Sequence, residues 1–276
     1  MQFTYTRNYG GSIKLAIFDW AGTTVDYGCQ APISAFVEGF RKQGVAVTMT
    51  AARIPMGMEK RDHICSVASQ PEVARAWQQV HTREISEQDI DNMYRDFTTL
   101  LLESIEAKSD MIPGVADTIE SLRSQNIRIG ASTGYFKEAA DIVAKKAAAA
   151  GYCPDFTISS SEVPAGRPWP WMIYRVMEKL SVCPPESVIN VGDTPVDIET
   201  GLNSGVWSVG VAVTGNQMGL SEQECRDLSP EVFESRATAA RESLSRAGAH
   251  YVIDTLDSLP EVIDEINSRL AVGDKP

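Results

Sequence analysis

The chain has 276 residues, 43% of them hydrophobic and 22% charged, and its 25 Lys and Arg against 37 Asp and Glu give a net charge of −12. At roughly 150 residues per domain this is one large domain or two modest ones, with too much apolar content for disorder to be the main state. The acidic balance excludes a broadly basic face for nucleic acid or an acidic membrane surface, while leaving room for a small anion in a locally basic cleft.

The first apolar run, residues 15–18, ends at Asp19 and reads as a buried strand. From residue 27 to 108 only helical patterns appear. Ile33, Phe36, Val37 and Phe40 recur at helical spacing before Gly44, and Ile90, Met93, Phe97, Leu100 and Leu101 form a second stripe. Ser86 and Asp89 have capping-box spacing ahead of that stripe. Beyond residue 109, strands and helices alternate. Strands are predicted at 127–131, 156–158, 188–191, 207–211 and 251–253, and helices at 115–122 and 138–149. A single helix is expected over 221–246. This rhythm predicts an α/β fold, a Rossmann-like doubly wound parallel sheet. Residues 1–26 and 109–276 would form that core, and 27–108 an all-helical cap inserted between the first two strands. Hinges are expected at Tyr27-Gly28 and at 109–114.

No stretch approaches the about 20 apolar residues of a membrane helix, and residues 1–12, MQFTYTRNYGGS, lack the apolar segment of a leader. The five cysteines (Cys29, Cys65, Cys153, Cys183, Cys225) form no C-x-x-C pair, which speaks against zinc and disulfides and for a reducing, cytoplasmic setting.

Ligands of such sheets bind beyond the carboxyl ends of the strands, and four pieces of sequence fall there. Asp19, followed by Ala21-Gly22-Thr23-Thr24, is placed as a nucleophile or metal ligand beside turn N–H groups able to hold an anion, or else as an Asx-turn or helix cap. Asp193 and Asp197 in GDTPVD, four residues apart, read as one face of an opening helix turn and suit Mg2+. Thr133 and Gly134 offer a hydroxyl and backbone N–H groups. Arg167, in PAGRP, is a permanent cation suited to phosphate.

The order D-x-x-G-T, S-T-G, a lone basic residue and G-D-x-x-x-D resembles the haloacid dehalogenase-like superfamily. The resemblance implies that Asp19 forms an aspartyl-phosphate. Gly22, Thr23, Thr133, Gly134 and Arg167 would bind the phosphate, and Asp193 with Asp197 would hold the metal as ligand or second shell. Most phosphatases of that superfamily carry a general acid two residues after the nucleophile. Here that position is Ala21, which has only a backbone carbonyl to offer, to Mg2+, and an ester would lose a factor of ~10²–10⁴. Lys60 and His63, three apart, suggest another route: an imine on Lys60 lets a carbon leave as an enamine.

The stretches DWAGTTVDYGC, ARIPMGMEKRDH, STGYFKE, VPAGRPWPWM and VGDTPVDIETG are similar to the phosphonoacetaldehyde hydrolase (phosphonatase) family. This likeness implies a magnesium-dependent, cytoplasmic homodimer that cleaves phosphonoacetaldehyde to acetaldehyde and phosphate in 2-aminoethylphosphonate degradation. Lys60 would be the imine lysine and His63 a proton carrier, with Met56, Cys29 and Tyr135 lining the site. The partner is then a small phosphonate, with no nucleic acid and no membrane. The alternative on the same fold is a phosphate-ester phosphatase or phosphomutase.

Overall fold

The computed structural model describes residues 8–276. The first seven residues of the expected core segment, and most of the stretch read for a leader, lie outside them. Six strands form one sheet: β1 (Leu15–Phe18), β2 (Arg128–Thr133), β3 (Phe156–Ser159), β4 (Val188–Gly192), β5 (Trp207–Val211) and β6 (Tyr251–Ile253). The order is β3-β2-β1-β4-β5-β6 and every pairing is parallel. The α/β reading therefore holds.

The central strand explains the layers. All four residues of β1 are buried. Its alternate side chains serve opposite faces, as strand geometry dictates. Leu15 and Ile17 pack with Met172, Ile173 and Val176 of α8 (Trp171–Lys179). Ala16 and Phe18 belong to the larger cluster shared with α6 (Val115–Ser124), α7 (Lys137–Ala149) and α12 (Leu259–Ala271). Strands buried on both faces read as unbroken apolar runs, which is why they were visible in the sequence. No helix among the described residues is long and apolar enough to cross a membrane.

Between β1 and α6 lie the five helices of the insert: α1 (Gln30–Lys42), α2 (Met49–Arg53), α3 (Lys60–Ala68), α4 (Pro71–His81) and α5 (Glu87–Lys108). The chain enters and leaves this insert side by side. Asp26 N–H donates to Asp110 O at 2.9 Å, Ile112 N–H donates to Thr24 O at 3.0 Å, and Val25 bridges Met111 antiparallel. The Asp26 carboxylate then takes the free N–H groups of Gln30 and Ala31 at 2.8 and 2.9 Å, satisfying donors at the start of α1. At the far end Arg41 and Lys42 complement the helix dipole. The Ser86–Asp89 capping box of α5 is formed in both directions.

Three local readings are corrected. The single helix expected over 221–246 is two, α10 (Glu222–Asp227) and α11 (Pro230–Arg246), because Ser229 caps α11 and Pro230 fills its first position, where a missing N–H costs nothing. Asp193 and Asp197 do not share a helical face. Asp193 sits in the turn after β4, and α9 (Pro195–Ser204) starts behind it, with Asp197 as the capping-box partner of Thr194. Finally, the second strand, expected over 127–131, runs from Arg128 to Thr133, so that Ser132 and Thr133 are its last residues.

Candidate active site

The carboxyl ends of β1, β2 and β4 bring the expected residues together. Asp19, Asp193 and Asp197 each turn an oxygen into one cluster whose ligand atoms lie within 4.8 Å of one another, and all three are buried. Arg167 closes one side. Its Nη2 is 2.9 Å from Asp19 Oδ1 and also donates to Ser132 O and Oγ, while Nη1 faces Asp197 Oδ1 at 2.8 Å as an ion pair off the hydrogen-bond axis. The second oxygen of Asp197 accepts from Thr194 Oγ1 at 2.6 Å. Both Asp197 oxygens are thus engaged, which makes it the carboxylate that positions Arg167.

Asp193 is held differently. Oδ1 accepts from Thr23 Oγ1 at 3.2 Å, and Oδ2 from Asn216 N–H at 2.6 Å and Cys29 Sγ at 3.3 Å. Cys29 Sγ also reaches Ala21 O at 3.1 Å. Gly22, at φ 85°, lets Asp193 come close: a Cβ there would stand 2.3 Å from Asp193 Oδ2.

The turn after Asp19 corrects one expectation. Gly22 N–H is spent on Val25 O and Thr23 N–H on Trp20 O. Neither can hold an anion, and both residues act instead by shaping and bonding Asp193. Among the described residues, the N–H groups of Trp20 and Ala21 meet no acceptor. A sequence shows the turn but not which of its N–H groups the turn itself consumes.

The insert supplies the other wall. Lys60, the first residue of α3, is buried, and its Nζ stands 5.1 Å from the centroid of the Tyr135 ring and 5.9 Å from that of Phe36. Burial pulls its pKa down, against the pull of Asp19 and Cys29. Lys60, Asp19, Ala21, Cys29, Met56, Thr133, Gly134, Tyr135 and Arg167 line one cavity, together with Pro32, Gly57 and Thr194. Its free space is about 20 Å³, room for about one water. Anything larger does not fit between the walls as they stand. His63 lies outside that lining. It is wholly buried and stacked on Phe36 at 3.7 Å, with Nε2 2.8 Å from Ala52 O and Nδ1 unpartnered. A carbonyl only accepts, so Nε2 carries the hydrogen. Burial, then nearby Lys60, push the His63 pKa well down. A far wider groove, about 540 Å³, lies elsewhere, between α2 and the loop after β5; it is lined by no carboxylate and no lysine, so size does not mark this site.

Gly134 carries the contact between the two walls. A Cβ there would meet Met58 O at 2.8 Å and Gly57 O at 3.0 Å, both backbone atoms of the insert. Gly134→Ala is expected to hold the insert off its seat and lower kcat/KM about 100-fold, since a displacement near 1 Å costs that much, with little change in melting temperature. Unchanged kinetics would mean that the closed contact is not the working one.

Three buried carboxylates around one point need positive charge. Burial, then Asp19 and Asp197, push Asp193 up to about 8, and burial likewise raises Asp197 despite Arg167. An all-oxygen donor set of this kind fits a hard divalent cation. In chelator, the folded chain keeps protons that the unfolded chain, with carboxylates near 3.9, has already lost. Stability should then fall as pH rises from 6 to 8. Mg2+ should raise the melting temperature more at pH 8 than at pH 6; a rise independent of pH would mean that the cluster is ionised without metal.

Comparison with known proteins decides the family. A model of the haloacid dehalogenase-like hydrolases matches residues 13–205. Over 264 residues the chain is 46% identical to the phosphonoacetaldehyde hydrolase of Paraburkholderia phytofirmans, covering 96% of this chain and 99% of that one. The chain belongs to the phosphonoacetaldehyde hydrolase family of haloacid dehalogenase-like hydrolases. Another member of the phosphonoacetaldehyde hydrolase family, from Bacillus cereus, is 42% identical over 93% of this chain and 97% of its own. A phosphonoacetaldehyde hydrolase-like protein of Syntrophobacter fumaroxidans is 44% identical over 99% of each. Among solved structures, a phosphonoacetaldehyde hydrolase-like protein of Oleispira antarctica superposes with a TM-score of 0.97 at 36% identity over the whole of both chains. A β-phosphoglucomutase of Clostridium difficile, at 19% identity over 94% of this chain and 99% of its own with a TM-score of 0.70, shares the fold.

Proposed function

We propose that this protein hydrolyses phosphonoacetaldehyde to acetaldehyde and phosphate, with Mg2+ at the carboxylate cluster. The observation that carries the reading is a buried amine, Lys60, facing the same closed cavity as Asp19 while the general-acid position is occupied by Ala21. Held by Asp19, Asp193 and the Ala21 carbonyl, Mg2+ when bound offsets the repulsion between an anionic nucleophile and an anionic substrate.

The chain's own residues do the rest. Arg167, Thr133 Oγ1 and the unpaired N–H groups of Trp20 and Ala21 receive the phosphonate oxygens. Met56, Cys29 and Tyr135 surround the aldehyde. With its pKa lowered, Lys60 offers a neutral amine, which adds to the carbonyl and loses water to give an imine. The imine is protonated and Asp19 attacks phosphorus. The C–P bond breaks, its electron pair enters the carbon chain as an enamine on Lys60, and phosphorus remains on Asp19 as the acyl phosphate. No oxygen leaves, so no acid is needed at Ala21. Water then hydrolyses the acyl phosphate. The enamine takes a proton and a second water frees acetaldehyde and Lys60, so the one water lost on forming the imine is returned. We assign the free Nδ1 of His63, one helical turn from Lys60, to relay the amine proton. Such a reaction belongs to phosphonate breakdown in the cytoplasm, and the family likeness supports a homodimer.

The test is to add Mg2+ and phosphonoacetaldehyde, follow acetaldehyde with alcohol dehydrogenase and NADH, and map a borohydride-treated sample by mass spectrometry. Acetaldehyde with a two-carbon adduct on Lys60 is expected. Turnover without the adduct would overturn the imine. Hydrolysis of phosphate esters alone, unaffected by Lys60→Ala, would put the phosphatase or phosphomutase reading in its place.

A further inference from the structure

We infer that Arg53 and Asn216 form a latch through which seating of the insert fixes Asp193, making Arg53 a positioning residue for the metal carboxylate. The inference rests on the proposed Mg2+ site.

Arg53 ends α2 and so belongs to the insert. Its Nη1 donates to Gly28 O at 2.8 Å, where the chain enters the insert, and to Asn216 Oδ1 at 3.0 Å, in the core loop after β5. Asn216 Nδ2 returns a bond to Arg53 O at 3.2 Å. The backbone N–H of the same Asn216 donates to Asp193 Oδ2 at 2.6 Å. One side chain therefore ties together the entry segment, the insert and the loop that orients a metal carboxylate. That loop is also bound to the entry segment directly, by Gly28 N–H to Thr214 O and Thr214 Oγ1 to Gly22 O, both at 2.8 Å. Arg53 Nη2 is buried without a hydrogen-bond partner. A buried donor left unpaired is costly. The guanidinium is held there by what its other nitrogen does.

The coupling has a direction in each sense. Lifting the insert withdraws Arg53, leaves the Asn216 amide without either partner and frees the N–H that fixes one lone pair of Asp193. By reciprocity, metal at Asp193 must favour the seated insert by the same factor. Outer-shell partners of metal ligands typically change affinity by 10–100-fold.

The experiment is calorimetric titration of Mg2+ into the full chain without substrate, for wild type, Arg53→Met, Asn216→Ala and the double variant. Asn216→Ala leaves the backbone N–H in place as a donor and removes only the side chain that Arg53 holds, so any loss passes through the latch. Each single change is expected to weaken Mg2+ about 10-fold, and the double change no more than either, since both break one link. Arg53→Lys should recover part of the affinity, and it carries the comparison if Arg53→Met does not fold. Mg2+ should slow hydrogen exchange over residues 54–60 in the wild type and not in Arg53→Met. Wild-type affinity in the single variants, or additive losses in the double, overturns the latch and leaves the metal reading standing. A wild-type chain that takes no Mg2+ overturns both.

Discussion

Lys60→Met is expected to lower phosphonoacetaldehyde turnover by about 10³-fold or more while raising the melting temperature. The two effects have one cause. The amine is buried, and burial disfavours its charged form. A folded-state pKa held below the unfolded value of about 10.4 costs stability at every pH below the unfolded value, most fully below the folded one. Methionine fills similar space with no charge to desolvate, so the fold should gain about 1 kcal/mol. It cannot form an imine, and the C–P bond is left without an electron sink. Steady-state kinetics with a thermal melt on the same sample reads both. A variant that loses turnover and also melts lower would assign Lys60 to holding the insert together. A variant that turns over normally would leave the reaction to other residues.

Arg167→Met is the second large effect and acts on the fold as well as on phosphate. The guanidinium is almost fully buried between Asp19 and Asp197. Its charge is stabilised because those two carboxylates outweigh the cost of its burial. Removing one partner of a buried ion pair strands the other, at about 3–5 kcal/mol. At roughly 2–4 °C per kcal/mol for a chain of this size, the melting temperature should fall visibly. Adding Asp197→Asn removes one of the two stranded charges and should restore part of the stability, yet no activity, since the phosphonate still lacks its cation. If the double variant melts below Arg167→Met, the ion pair is not what Arg167 contributes.

How much of this was legible beforehand depends on the range of the interaction. Strands buried on both faces announce themselves as apolar runs, and β1, β4, β5 and β6 fall within a residue of their predicted bounds. Capping boxes are equally local: Ser86 with Asp89 could be read from spacing. Thr194 with Asp197 obeys the same rule, but two acids four apart look like a helical face until Pro195 is seen to open the helix. The candidate site residues were visible because each sits at a strand end or in a short motif. Arg53 and Asn216 were not, because their meaning lies in a contact 163 residues apart, with no periodicity or turn chemistry to mark it. The sequence does not mark Trp20 for a related reason, since its backbone N–H matters only once the turn has consumed those of Gly22 and Thr23.

The paired crossing of residues 24–26 with 110–112 has a consequence for how such a protein can diversify. Entry and exit lie so close that the chain passes into and out of the five-helix segment through a single paired crossing. A graft of that kind can be exchanged for another without unthreading the sheet, and its two ends need no long connection to meet. The nucleophile stays with the stock and the amine travels with the scion. The carboxylate cluster and the buried lysine therefore sit on separately exchangeable parts of the chain.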